Sequence, residues 1–323
     1  MDESVLDAIG SPLVAVPGPA GATVAAKLEW KNPGGSAKDR PALYMVRAAE
    51  EAGQIEPGDR LVEPTSGNTG VGLALVASAL GYDLTVVMPS SKSAERRQLI
   101  EAYGATVELV DGDIADARER ADAIEAEAGA VQLRQFENEA NPRAHYETTG
   151  AEILEQVGGR EVDAFVAAVG TGGTLMGAGR RLREAHPDVE IVAVEPAGNA
   201  ALSGGPIGDD RFEGMGPGFV SDIVDTDLID RVEPVSFEAA VEEARRLATD
   251  AGLLVGQSAG AASLAACRTA SRLLGRSADD CPDVATTDGG RRLEAVGDND
   301  GPLVVTVFPD SGERYLSTGM FDR

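Results

Sequence analysis

Residues 162–177 read VDAFVAAVGTGGTLMG. From Ala164 small and apolar side chains run without interruption to Val169. Four glycines and threonines follow at Gly170–Gly173, and an apolar pattern then resumes at Leu175 and Met176. A continuous apolar run of this length predicts a strand covered on both faces, and a glycine-rich break ahead of renewed periodicity predicts a turn into a helix. That strand–loop–helix unit recurs along the chain. Strand-like runs stand at 60–65, 84–89, 105–110, 131–136, 189–196 and 302–309, with helical patterns such as PALYMVRAAEEAG, VGLALVASALG, AERRQLIEAYG and ARERADAIEAEAG among them. Several of these end in glycine, the common C-terminal stop. The alternation predicts an α/β fold with mostly parallel sheets. The βα units fall into two groups: 32–138, and the remainder, which includes 1–31 and 139–323. The polar, acidic stretch 276–300 reads as a surface insertion ahead of the last strand.

Composition narrows the function. The 323 residues carry a net charge of −26, and 24 of the 28 basic residues are arginine against four lysines. A balance this acidic argues against nucleic acid and anionic membrane as partners. Spread over the whole chain, it predicts a halophilic protein, because a charged surface stays soluble where salt screens self-repulsion. No apolar run is long enough to span a bilayer, and the N-terminus lacks signal-peptide character, so a cytoplasmic location is expected. Cys267 and Cys281 form no metal-type spacing, and with two histidines in the chain no metal site is expected.

In open α/β sheets ligands sit beyond the carboxyl ends of the strands, so the loops there are the informative ones. Residues 63–72, EPTSGNTGVG, place Thr65, Ser66, Gly67, Asn68 and Thr69 where a helix begins. They read either as a nest for a carboxylate or as plain helix capping. Residues 170–174, GTGGT, suit one small phosphate at a helix N-terminus. A GxGxxG fingerprint would need glycine where Leu175 stands, and a Walker lysine is missing, which weakens nucleotide readings. Lys38 closes the glycine-rich stretch 32–40, NPGGSAKDR, and heads a helix. There the dipole and partial burial would favour a neutral amine, the form that imine formation and proton abstraction need. The alternative is a solvated turn lysine, with Asp39 and Arg40 exposed. Asp310 and Ser311 follow the last strand, where they could face a ligand or simply make a turn. An amine, a phosphate cradle, an anion nest and a polar group after the last strand together match the needs of pyridoxal 5′-phosphate.

NPGGSAKDR, PTSGNTG, QFENEANP, GTGGT and PDSGERYLST occur in one order. Together they closely resemble the cysteine synthase (O-acetylserine sulfhydrylase) and cystathionine β-synthase family, of the tryptophan synthase β-like, fold type II pyridoxal-phosphate enzymes. The resemblance covers nearly the whole chain. It implies two three-layer αβα domains, the smaller, mobile one at 32–138, and a homodimer. It implies that Lys38 forms the internal aldimine and later acts as base, and that Asn68 hydrogen-bonds the cofactor 3′-oxygen. Thr65, Ser66, Gly67, Thr69 and Gln135 would hold the substrate carboxylate. Gly170, Thr171, Gly172, Gly173 and Thr174 would form the phosphate loop. Ser311 would meet the pyridine nitrogen as a neutral hydroxyl, with Asp310 pointing elsewhere. GMGPGF, 214–219, resembles a loop that closes over the site. In GQSAGAA, 256–262, Gly256 and Ser258 are cofactor contacts on this reading and close-packing residues on the other.

The implied reaction is β-replacement on an O-activated L-serine, with O-acetylserine the expected substrate and sulfide the nucleophile, through an α-aminoacrylate to L-cysteine. Cystathionine β-synthase or serine/threonine dehydratase activity is the alternative within the class; a non-catalytic peptide-binding module is the alternative outside it. An O-phosphoserine substrate would want an extra arginine at the mouth, for which Arg96 or Arg211 is available in sequence.

Overall fold

The first strands are an antiparallel pair, β1 (Leu13–Val16) and β2 (Thr23–Leu28). The chain then forms α1 (Asp39–Glu51), β3 (Arg60–Pro64), α2 (Asn68–Leu80), β4 (Asp83–Pro89), α3 (Ala94–Ala102), β5 (Thr106–Val110) and α4 (Ile114–Ala128). It continues as α5 (Ala140–Ala144), a π-helical turn over His145–Gly150, and α6 (Ala151–Gln156). Then come β6 (Ala164–Ala168), α7 (Gly173–Ala185), β7 (Glu190–Pro196), β8 (Arg231–Val235), α8 (Phe237–Ala251), α9 (Gln257–Leu273), β9 (Leu303–Phe308) and a 3-10 turn over Gly312–Thr318. The structure, a computed structural model, describes residues 3–92, 94–208, 210–277 and 301–322. Most of the acidic insertion expected at 276–300, and Cys281 with it, lies outside the described residues.

Two sheets result. One has six strands in the order β1-β2-β9-β6-β7-β8, parallel except for the β1–β2 pair; the other has three parallel strands, β3-β4-β5. Side chains alternate across each strand, so a sheet buried on both faces must supply two apolar sets. In the larger sheet Val24, Ala26, Val166, Val192, Val194 and Val304 pack toward α8 and α9. Their sequence neighbours Ala25, Phe165, Ala167, Ile191, Ala193 and Val305 pack on the opposite side, with Ile153 of α6 and Leu175, Met176, Ala178 and Leu182 of α7. In the smaller sheet Leu61, Leu84 and Val86 pack with α1 and α2, while Val62 and Val87 pack with Ala117 and Ala121 of α4. Each sheet therefore lies between helical layers.

The segment 131–136 departs from its expected strand. Only Val131 pairs, as an isolated bridge to Leu61. Gln132 N–H donates to Glu125 Oε1, the N–H groups of Leu133, Arg134 and Gln135 donate to the carboxylate of Glu63, and Arg134 adopts φ 54°. Side-chain acceptors have replaced the neighbouring strand as the partners for these backbone donors.

Candidate functional site

The five motif segments meet in one cleft between the two sheets, joined by hydrogen bonds that can be followed around it. Ala37 N–H donates to Pro309 O at 2.9 Å, and Ser36 bridges Asp310, which brings the start of α1 to the end of β9. Asn68 Nδ2 donates to Asp310 Oδ2 at 2.7 Å. Thr69 Oγ1 donates to Gln135 Oε1 at 2.6 Å. Asn141 Nδ2 then spans Gln135 O at 2.9 Å and Thr171 Oγ1 at 3.0 Å. Gly256 N–H reaches Asp310 O, and Val255 bridges Ser311.

Three helices that start at this cleft have glycine at the N-cap and no side-chain cap: α2 after Gly67, α7 after Gly172 and α9 after Gly256. By contrast α4 and α8 are capped by Asp113 and Ser236. Free N–H groups and the positive ends of helix dipoles are thus presented to the cleft, an arrangement that attracts anions. The 170–174 loop cannot carry side chains at its glycines. Gly172 has φ +91°, and a Cβ there would lie 2.3 Å from Val224 Cγ2; at Gly170 it would lie 2.6 Å from Gly214 O. The loop is held close against its surroundings, leaving backbone N–H groups and the hydroxyls of Thr171 and Thr174 for a ligand. Thr174 Oγ1 lies 3.2 Å from Nε2 of the buried His145. Burial pushes that imidazole down to about 3, so it is neutral.

Lys38 occupies the N-cap of α1 and is partly buried at the cleft. Desolvation lowers its amine, against the opposing charges of Asp310 and Glu29. Its neighbours Asp39 and Arg40 are fully buried, not exposed as a turn-lysine reading requires. Arg40 pairs with Glu29 (Nε–Oε2, 2.8 Å) and with Glu152 (Nη2–Oε2, 2.8 Å), while Lys27 also binds Glu152. Burial works to raise Glu29, but the Arg40 guanidinium holds it at about 2. This ionic cluster fastens α1 to β2 and α6 directly behind Lys38. No motif pointed to it, although Lys27 is one of only four lysines in the chain.

Asp310 faces Asn68 and Tyr315. It is 1 % exposed, accepts from Asn68 and from Tyr315 Oη (2.8 Å), and leaves Oδ1 without a partner beside Gly256. Ser311 instead caps the final 3-10 turn, accepting from Glu313 N–H at 3.2 Å. Ser258 is 6 % exposed, and its hydroxyl makes no hydrogen bond among the described residues. Gly260, two residues on, serves packing: a Cβ there would lie 2.0 Å from Ala240 O of α8. The expected closing loop 214–219 runs along the cradle. Gly216 N–H donates to Val169 O, and Phe219 stacks at 5.3 Å on Phe136, with Arg118 of α4 over both rings. Of the two arginines considered for the mouth, Arg211 is surface-exposed and paired with Glu238, whereas Arg96 is 3 % exposed and paired with Glu213. Arg314, which no motif reading singled out, donates to Asn68 Oδ1 and Gly34 O.

A lysine with a depressed amine, an unpartnered buried carboxylate oxygen and a glycine cradle at a helix N-terminus fit pyridoxal 5′-phosphate. The family profile described as pyridoxal-phosphate dependent enzyme matches residues 6–281. A cysteine synthase of Staphylococcus aureus is 44 % identical over 302 residues, covering 93 % of this chain and 89 % of the relative. The crystal structure of an O-ureido-L-serine synthase superposes with a TM-score of 0.88 at 39 % identity, over 100 % of this chain and 96 % of that one. That of O-acetyl serine sulfhydrylase isoform 3 from Entamoeba histolytica superposes with a TM-score of 0.87 at 35 % identity, over 100 % and 92 %.

Proposed function

The chain belongs to the family of pyridoxal-phosphate dependent enzymes, and from that premise we propose that it makes L-cysteine from O-acetyl-L-serine and sulfide by β-replacement. The observation that carries this reading is Lys38: a partly buried amine, pushed down by desolvation, at a cleft that also holds two uncapped helix N-termini, one suited to a phosphate and one to a carboxylate.

Residues 170–174 would hold the cofactor phosphate, Lys38 Nζ would hold its aldehyde carbon, and Asn68 would face its 3′-oxygen with the amide N–H that Asp310 leaves free. Gly256 and Ser258 would line its ring. Ser311 would offer the pyridine nitrogen a neutral hydroxyl, since its oxygen accepts from Glu313 N–H and its O–H stays free to donate; Ser258, whose hydroxyl has no partner among the described residues, is a second candidate. Bound pyridoxal 5′-phosphate supplies the electron sink for negative charge at the substrate α-carbon.

The chain's own residues do the rest. Thr65, Ser66, Gly67 and Thr69 offer the uncapped start of α2 to the substrate carboxylate, and the Thr69 hydroxyl holds the Gln135 amide in place beside them. Lys38 Nζ takes the α-proton and later returns it. Low basicity suits the amine to that exchange near neutral pH. The smaller unit, 32–138, carries the nest on α2, and the larger carries the cradle on α7. Carboxylate binding would draw the two together and exclude water. The net charge and the arginine excess support a halophilic setting. We further read the protein as a cytoplasmic homodimer, by analogy with the family it resembles.

Purified protein supplied with pyridoxal 5′-phosphate, O-acetyl-L-serine and sulfide should release L-cysteine. Turnover only with homocysteine, or only without a nucleophile, would move the assignment to a cystathionine synthase or a dehydratase.

A further inference from the structure

Arg96 lies on α3, in the unit that carries the nest, with a guanidinium 3 % exposed. Nη1 reaches the carbonyl of Ser66, inside the nest, at 3.4 Å. Nη2 pairs at 2.8 Å with Glu213, which belongs to the other unit. The guanidinium carbon stands 5.7 Å over the ring of Tyr315, whose hydroxyl binds Asp310. Glu213 immediately precedes Gly214, whose carbonyl abuts Gly170 of the cradle, and its own N–H donates to Gln257 Oε1 at 3.0 Å. Its side chain is 27 % exposed and lines a cavity of about 690 Å³ between α8 and the final turn. The pair therefore joins the nest at Ser66 to the segment whose Gly214 abuts the cradle.

Resting on the β-replacement reading, we propose that the Arg96–Glu213 pair selects the leaving group. A substrate already brings one carboxylate to the nest. A phosphate leaving group would bring two more negative charges and would need a second cation. Arg96 is placed to be that cation, but Glu213 neutralises it and adds a carboxylate that repels an incoming anion. Arg314 is tethered instead to Asn68 Oδ1 and Gly34 O. Paired charges in a partly desolvated cleft act more strongly than in bulk water, so removing one member changes the local field appreciably. An uncharged acetyl ester meets no such barrier.

The test uses holoenzyme at one fixed ionic strength. It measures kcat/KM with sulfide for O-phospho-L-serine and for O-acetyl-L-serine, and the Kd of inorganic phosphate by calorimetry. In Glu213→Gln, a near-isosteric change at a partly exposed side chain, the phosphoserine-to-acetylserine ratio should rise about tenfold or more and phosphate should bind about tenfold tighter. Glu213→Asp, which keeps the charge, should stay near wild type. The double variant Glu213→Gln/Arg96→Gln should lose both gains, and Arg96→Gln alone should bind phosphate no better than wild type. An unchanged ratio and Kd in Glu213→Gln, or gains that survive loss of Arg96, would overturn the inference. Wild-type enzyme that makes no cysteine from either substrate would sink the β-replacement reading instead, while the phosphate titration would still judge the ion pair.

Discussion

At the scale of single residues, the informative side chains are those whose surroundings contradict their usual habits. Lysine is normally solvated and charged, yet Lys38 caps a helix start whose next two residues, Asp39 and Arg40, are fully buried. Lys38→Ala should abolish the visible absorbance of bound cofactor and cut turnover by about a thousandfold or more, since the variant loses covalent attachment and base together. Absorption spectra and initial rates check this, and a variant retaining both would refute the role. The motif order singled out Lys38, Asn68 and the 170–174 loop as candidates, because glycine, hydroxyl and amide side chains carry their chemistry with them. Asp310 and Ser311 were not separable in that way. Adjacent residues after a strand leave in different directions, and which one turns inward depends on Gly256, Tyr315 and Asn68, each distant in sequence.

Among elements, the helices of the cleft are distinguished by what their N-termini lack, and the connections behind them by what they bury. The Arg40 cluster ties α1 to β2 and α6. Arg40→Met should cost about 3–5 kcal/mol, because the fully buried Glu29 loses its cationic partner while Glu152 keeps only Lys27; urea unfolding measures it. The 131–136 connection is governed by Glu63, whose buried carboxyl is pushed up to about 7 by desolvation despite three backbone N–H donors. The folded state then holds this proton through a range in which the unfolded chain, near 4.5, has released it. Stability is therefore favoured at low pH and declines as pH rises from about 4.5 to about 7. Burial raises Asp39 to about 7 as well, and it acts in the same direction. In Glu63→Gln the Asp39 contribution remains, so melting curves across this range should show a shallower decline than wild type, not a flat line. An equal slope would show that Glu63 does not titrate there. Strand periodicity alone misread this segment, since VQLRQF alternates like a strand while the donors of Leu133, Arg134 and Gln135 are claimed by a side chain some 70 residues earlier.

For the molecule as a whole, charge and topology are the governing facts. A net charge of −26 makes self-repulsion a standing cost that salt removes. The melting temperature should rise as KCl increases from about 0.1 M to about 2 M, at which the screening length shrinks to a few ångströms. A flat or falling curve would count against a halophilic origin. Alternation of apolar strands and helical stretches was enough to specify α/β layering, since both periodicities are local properties of the chain. Collinear motifs were likewise enough to indicate the cofactor, because each motif is confined to a few consecutive residues. What folding alone decided is which charges meet. Arg96 faces Glu213, Arg40 faces Glu152, Asp310 turns toward Asn68, and Glu63 claims the turn at Gln135. These partners lie tens to hundreds of positions apart, and the long-range packing that brings them together leaves no periodic trace in the sequence.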